Sequence, residues 1–358
     1  MRWAIFSTVL RFRPIRPGGA PDLPDAPIFV AGFFSRISGV ASMARLIADD
    51  HERAGRRVIR IDLGAVLDHG RPLPEAPPSR TPGGVRSDGA LRGAGTVFVV
   101  MDAPYSPLPL WLLGAAVRRG KRLIALWFWE LEDMPSSWRW SARCFDEIQT
   151  FSEFNFEAAR KLTHRARLMP VPRVPPAPRR RRFAEDTLRV LSLFNMSANF
   201  ARKNPEGAIA AFQRAFGASD RHQLVLKVTE GDLFPEGLDR LRDAAAGAPN
   251  IELIEDACSE QEMFEMFERA DVYLSLHRSE GLGEPLLRAV GLGMHVVATG
   301  WSGNVDFMRG RDRCALVPFT LVPVDDPQRM YPTSSRWAEP DIDAAADILR
   351  RIAEEHRA

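Results

Sequence analysis

The residues with the most chemistry per position lie between His277 and Gly283, in the run HRSEGLG, where a histidine, an arginine, a serine and a carboxylate precede two glycines. The apolar run DVYLSLH before it reads as a strand, and EPLLRAVGLG after it as a helix opening at about Gly283. In open α/β sheets ligands bind beyond the carboxyl ends of the strands. A helix start offers unpaired N–H groups and the positive end of a dipole, which suit a phosphate. Gly281 and Gly283, with Leu282 between them, let the backbone approach a ligand closely. Glu280 would repel a phosphate but can accept hydrogen bonds from hydroxyls, as on a sugar. A small-residue turn, TGWSGN (299–304), follows the next strand and is expected to flank the same crevice.

Other candidates are scattered. Lys203 in ARKNP, beside Arg202, reads by itself as a solvated lysine at a helix start, and Lys227 ends the apolar run HQLVLK. A lone His277 is more often a structural hydrogen-bonder than a catalyst. Glu284 and Arg288 stand four apart in the orientation that favours an ion pair on a helix. In LWFWELEDMPSSW, alternation puts Trp127 and Trp129 on one sheet face and Glu130 on the other. The tryptophans read as core or as stacking surfaces for a sugar ring, and Glu130 as a carboxylate that orients a hydroxyl or acts as a base. Asp102, ending VFVVMD, is comparable. No metal is required: the seven histidines do not cluster at ligand spacing, and no Asp-x-Asp closes a strand.

The elements that must position these groups alternate. Strands are expected at 27–34, 56–63, 95–102, 122–130 and 147–152, with helices at 38–55, at PLWLLGAAVRRG and at EFNFEAARKL. Residues 67–94 are crowded with Pro, Gly and charge and read as a long exposed loop. VPRVPPAPRRRRFAED (171–186) breaks the pattern and is the best linker. The alternation then restarts and ends with PDIDAAADILRRIAEEH as a helix; Ser259 and Glu262 have capping-box spacing before another. Strand–helix alternation implies parallel sheets covered on both faces. The expected organisation is an N-terminal extension (1–26), a Rossmann-like domain (27–172), a linker (173–186), a second Rossmann-like domain (187–336) and a C-terminal helix (337–358).

Composition agrees. The chain has 358 residues, 45% hydrophobic and 26% charged, enough for two ordinary globular domains. Three cysteines far apart, with no CxxC spacing, argue against a disulfide framework or a zinc site and fit a reducing compartment. No apolar run approaches the roughly 20 residues of a spanning helix, so a soluble protein is expected. MRWAIFSTVLRFRPIRPGG reads equally as an interfacial segment on anionic lipid and as a frayed terminus. The arginine run in PAPRRRR is solvated or lipid-facing rather than a nucleic-acid site.

The segment SLHRSEGLGEPLLRAVGLGMHVVATGWSGNVDFM resembles the donor-binding signature of glycosyltransferase family four, whose members have the GT-B fold. AGFFSRISGVASMARL, WFWELEDMPSSW, FSEFNFEAA, ARKNPEGAIAAFQRAF and WAEPDIDAA resemble the branch of that family that builds bacterial surface polysaccharides. The likeness runs from about residue 28 onward. It implies two Rossmann-like doubly wound domains facing each other across a cleft, with a nucleoside-diphosphate sugar held mainly by the second. Glu280 would touch the donor sugar's hydroxyls, and Gly281, Leu282 and Gly283 would meet sugar and diphosphate. Lys203 would neutralise the diphosphate with Arg202 beside it on the donor surface, and Lys227 reads equally as a second phosphate ligand and as a strand-end surface lysine. His277, Glu284 and Arg288 complete the expected donor surface, and Gly39 in SRISGV matches a glycine loop that closes over the donor. Two positions depart from the signature. Arg288 stands where a second glutamate is usual, and Ala198 where an arginine is.

The expectation is a retaining, metal-independent hexosyltransferase without a cofactor, working at the cytoplasmic face of a membrane on a saccharide or lipid-linked saccharide, with peripheral contact to anionic lipid and no nucleic-acid partner. Glu280, Lys203 and Glu130 would carry the catalysis. Its rival is a GT-B protein that has lost donor binding and serves as a partner or scaffold in polysaccharide assembly.

Overall fold

In the computed structural model, residues 15, 17, 19–36, 38–64, 91–171, 187–256 and 258–357 are described. The interfacial stretch proposed for residues 1–18, residues 67–90 of the expected loop and the linker at 173–186 fall almost wholly outside them. The chain divides into two compact units: Met1–Trp129 with Asp133–Arg173, and Glu130–Glu132 with Val174–Ala358.

The first unit carries a six-stranded sheet of β1 (Ile28–Gly32), β2 (Val58–Asp62), β3 (Gly95–Val100), β4 (Lys121–Leu126), β5 (Glu147–Thr150) and β6 (Ala166–Leu168) in the order β2-β1-β3-β4-β5-β6. Every pairing in it is parallel. Strands β1 and β3 are buried along their whole length, which explains why they read as continuous apolar runs. Helices α1 (Gly39–Arg53), α2 (Pro107–Leu112), α3 (Arg139–Ala142) and α4 (Glu153–Leu162) accompany the sheet. Two expectations change here. The helix expected through PLWLLGAAVRRG stops at Leu112, because Gly114 takes φ 72° and only a 3-10 turn, Ala115–Val117, follows. Strand β4 ends at Leu126 rather than residue 130, because Asn155 takes both the N–H of Trp129 (2.6 Å) and its carbonyl (2.7 Å) and draws the chain off the ladder. Trp127 is core: wholly buried, its indole N–H donates to Ser106 Oγ at 3.1 Å.

The second unit repeats the design with β7 (Leu188–Asn195), β8 (His222–Thr229), β9 (Ile251–Ile254), β10 (Val272–Ser275), β11 (His295–Thr299) and β12 (Cys314–Val317) in the order β12-β11-β10-β7-β8-β9, again all parallel. From β7 the chain winds outward through β8 and β9, then returns to β10 on β7's other side. The switch point, where crevices form at strand ends, lies between β7 and β10. Helices α5 (Phe200–Lys203), α6 (Pro205–Phe216), α7 (Pro235–Ala245), α8 (Glu260–Arg269), α9 (Glu284–Gly291), α10 (Val305–Met308) and α11 (Ile342–Arg357) complete the unit. Helix α8 begins with the expected capping box of Ser259 and Glu262. Residues 337–340 are not the start of the last helix. They belong to β14 (Arg336–Pro340), paired antiparallel with β13 (Phe319–Pro323) in a two-stranded ribbon.

Candidate functional site

Two loops meet at the switch point of the second sheet, and asparagines shape the first of them. Asn199, with φ 76°, caps α5 by accepting from the Arg202 N–H at 2.9 Å. Asn204, left-handed at φ 49°, ends α5 and starts α6, a conformation asparagine tolerates better than most residues. Its Oδ1 accepts from the Gly207 N–H at 3.3 Å, and its Nδ2 donates to the Leu276 carbonyl just beyond β10 at 2.8 Å. The Arg278 N–H donates to the Arg202 carbonyl at 2.7 Å. The residues after β7 and those after β10 are thereby stitched together by backbone and amide bonds.

That stitching assembles a row of charges. Glu280, nearly buried, receives Lys203 Nζ on Oε1 and Arg202 NH1 on Oε2, the latter at 3.2 Å. Arg202, only 3% exposed, also donates from NH1 to the Ser279 carbonyl at 2.7 Å and from NH2 to that of Ala198 at 2.6 Å. Its NH2 lies 3.8 Å from Glu130 Oε1, and its buried Nε has no acceptor among the described residues. Burial opposes the charge on Glu280, yet Lys203 and Arg202 outweigh it and hold the carboxyl at about 2. Burial opposes the Arg202 charge too, and Tyr331, Glu130 and Glu280 overcome it, raising the guanidinium above its ordinary value. For Lys203 burial wins: the ammonium is pushed down despite Glu280. The ion pair therefore favours the carboxylate more than it favours the amine.

The sequence placed Glu280, Arg202 and Lys203 in one site, and the structure brings them into contact. Glu130 joins them through Arg202. His277 is buried and neutral, held at about 4 chiefly by burial. Asn304 Nδ2 is committed to the Thr299 carbonyl at 3.0 Å, so Asn304 Oδ1 faces His277 Nε2 (3.1 Å) as an acceptor. The ring proton thus sits on Nε2, and Nδ1 accepts from Ser275 Oγ at 3.0 Å. His277 braces the loop from beneath. From the TGWSGN turn, Ser302 Oγ accepts from the Glu280 N–H at 2.7 Å, and the Gly303 N–H donates to the Glu280 carbonyl at 2.9 Å. A Cβ at Gly303 would fall inside contact distance of the Gly281 carbonyl and 3.0 Å from the Leu282 nitrogen. Gly283, with φ 82°, is the N-cap of α9.

Arg288 holds Glu284 as its spacing suggests, Nε to Oε1 at 3.2 Å, and lies 5.7 Å from the Phe267 ring centroid. Lys227 does not join the cluster. It is fully buried in β8 and spends its ammonium on the carbonyls of Val228 (3.1 Å) and Asp256. A strand-end lysine can turn inward whenever carbonyls await it, which its sequence position does not disclose. Gly39 lies in the first unit, exposed at the start of α1 beside the N-cap Ser38. Asp102 is exposed beyond β3 in the same unit.

Several participants were missed. Tyr331 Oη donates to Glu130 Oε2 at 3.2 Å, and Ser279 Oγ donates to the Glu130 carbonyl. Arg278 forms a fork on Glu339 (2.6 and 3.0 Å) and stands 5.7 Å from the Trp337 ring, while the Ala338 N–H donates to the Arg278 carbonyl at 2.9 Å. The ribbon β13–β14 is thus fastened to the site loop. The available signal for Tyr331 was rarity: it is one of three tyrosines and sits in the polar stretch RMYPTSS.

Chemically, two cations beside two carboxylates and a helix start can hold a ligand that carries both an anion and hydroxyls. Among the described residues no group of three or more His, Cys, Asp or Glu is placed to hold a metal ion.

No family model matches the chain, and no curated protein matches it in sequence. Solved structures do. Anabaena HepE in complex with UDP and glucose superposes with a TM-score of 0.60 at 11% identity, over 93% of this chain and 91% of that one. Sucrose-phosphate synthase from Thermosynechococcus elongatus gives 0.60 at 14% identity, over 93% and 90%. A TarM variant from S. aureus in complex with Fondaparinux, alpha-GlcNAc-glycerol and UDP gives 0.52 at 10% identity over 73% of this chain, which spans about half of that protein (48%). These likenesses establish the fold: two Rossmann-like units of the GT-B kind.

Proposed function

We propose that the protein is a glycosyltransferase that moves a hexose from a nucleoside-diphosphate sugar to a saccharide or lipid-linked saccharide, with retention at the anomeric carbon, in the synthesis of a bacterial surface polysaccharide. The observation that carries the reading is the contact of Lys203 and Arg202 with Glu280 at the switch point between β7 and β10. The orphaned Nε of Arg202 supports it, because a buried donor without an acceptor is costly and a ligand oxygen would satisfy it. The GT-B likeness to structures that hold UDP is consistent with a nucleotide-sugar donor.

In this reading Lys203 and Arg202 face the diphosphate and Glu280 takes hydroxyl hydrogens of the sugar. The bond from the anomeric carbon to the phosphate oxygen breaks with its electron pair on that oxygen, and the two cations and the start of α9 stabilise the negative charge. The acceptor hydroxyl attacks from the same face, its oxygen forms the new bond, and its proton passes to the departing phosphate. In this reading the reaction runs at the cytoplasmic face of the membrane, with anionic lipid as a peripheral contact and without a cofactor.

A second reading has its own observation. Both cations already have carboxylate partners, and Ala198 and Arg288 depart from the donor signature, so the cluster could serve only to brace a scaffold. Calorimetric titration with UDP, GDP, dTDP and ADP and their sugar conjugates, at one salt concentration, separates the two. Selective binding that is lost in Lys203→Ala is the expected result, and no binding to any of them overturns the enzyme reading.

A further inference from the structure

Arg202 links two carboxylates that are not alike. Glu280 is the more engaged: both oxygens carry cationic donors, its side chain is 9% exposed, and the loop around it is pinned by Ser302 and Gly303. Glu130 is more open, with a side-chain exposure of 22%. One of its oxygens takes the Tyr331 hydroxyl at 3.2 Å, and the other is 3.8 Å from Arg202, too far for a hydrogen bond. A carboxylate has about four acceptor sites, so Glu130 keeps lone pairs for a hydroxyl donor.

Its orientation is set by a built support. Asp326 Oδ2 accepts from the N–H groups of Met330 (2.6 Å) and Tyr331 (3.1 Å), and its Oδ1 from the Gln328 N–H (2.9 Å) and Asn199 Nδ2 (2.7 Å). Gln328 Oε1 in turn accepts from the Phe200 N–H at 2.7 Å. The segment 326–331 is thus tied to α5, the helix that carries Arg202 and Lys203. The Tyr331 ring meets Trp337 edge-on at 6.3 Å, and Ser279 Oγ holds the Glu130 carbonyl. A tyrosine whose backbone, ring and hydroxyl are all fixed, ending on the more accessible carboxylate of the cluster, is a positioning device.

We propose that Tyr331 is a positioning residue, which holds the Glu130 carboxylate so that it accepts a hydrogen bond from the hydroxyl attacking the donor sugar. This deepens the function proposed above and rests on it. Glu130 orients the hydroxyl; the proton still leaves on the departing phosphate, so no oxidant or further reactant enters. Ser279 and Asp326 act through Glu130 and Tyr331 and touch no substrate in this scheme.

The test needs no knowledge of the natural acceptor, because water can serve as one. The glucose conjugates of UDP, GDP, dTDP and ADP are incubated with the full chain and with Tyr331→Phe, Glu130→Gln and the double variant. Release of glucose is followed, and nucleotide binding is measured by calorimetry on the same preparations. Phenylalanine keeps the ring against Trp337 and removes the hydroxyl that bonds Glu130. The expected result is a fall in kcat of roughly tenfold in Tyr331→Phe, the scale of one hydrogen bond to a charged group, with KM and nucleotide affinity unchanged. The double variant is expected to be no slower than Glu130→Gln, because Tyr331 acts only through Glu130. Parent-like kcat in Tyr331→Phe, additive losses in the double variant, or equal losses of kcat and nucleotide binding would each overturn the assignment while leaving the donor function standing. A parent protein that binds none of the nucleotides and releases no glucose overturns the function and this assignment together.

Discussion

Replacing Glu280 with glutamine removes one negative charge from between the buried Arg202 and the half-buried Lys203 and keeps the shape of the side chain. A carboxyl held at about 2 in the folded chain, against an ordinary 4.5, represents about 3 kcal/mol of stability at neutral pH. Lys203 works against part of this, since burial drives its ammonium below the ordinary value. The net loss in Glu280→Gln is expected to be roughly 2–3 kcal/mol, or about 4–12 °C in the Tm of the second unit. A depressed carboxyl contributes stability that is complete above its unfolded value and is lost as pH falls towards the folded one. The gap between parent and variant should therefore narrow on acidification, with about 1 kcal/mol of it gone by pH 3.5. Thermal unfolding followed by tryptophan fluorescence, from pH 7 to 3.5, measures this. Repeating the melts with UDP adds a second arm. Without Glu280 an anionic diphosphate no longer meets the carboxylate between Lys203 and Arg202, so UDP should bind the variant on the order of tenfold more tightly even as transfer falls. A variant as stable as the parent at pH 7, or a gap indifferent to acid, would refute the electrostatic argument.

Two further outcomes are expected. Gly303→Ala forces a methyl against the backbone of Gly281, which cannot swing aside as a side chain would; we expect a loss of roughly 1–3 kcal/mol in denaturant melts and about a hundredfold slower transfer, and parent-like transfer would refute the close packing of the two turns. His277, neutral down to about 4, makes the parent lose stability as pH falls from 6.5 towards 4; His277→Gln should flatten that limb by roughly 2–3 kcal/mol, and an unchanged limb would exclude His277 as its source.

The doubly wound plan was legible because buried parallel strands such as Phe29–Ala31 and Val97–Val100 are apolar without interruption and each is followed by helical periodicity. The loop HRSEGLG was legible through its resemblance to a donor-binding signature, since two glycines before a helix also suit a plain tight βα turn. What escaped depends on partners distant in sequence. Trp337–Pro340 precedes an Asp at a helix start and reads as its first turn, yet β13 takes it as a strand. Lys227 looks like any lysine at a strand end until the carbonyls beyond β9 are placed near it. Tyr331 carries no local signal for its bond to a glutamate about two hundred residues earlier.

The ribbon has a consequence for how the protein is made. Arg278 closes on Glu339 across 61 residues of sequence, and the loop bearing Glu280 takes a further support from the Ala338 N–H. A ribosome that has delivered β7 through β12 has supplied Arg202, Lys203 and Glu280, but not the strand that locks their loop. During synthesis, therefore, the sheet can form early while the site stays loose. Competence to hold a ligand would arrive as a separate, later event, and a nascent chain stalled before residue 336, which also lacks the core residues Ala345 and Leu349 of α11, should be inert in its chemistry.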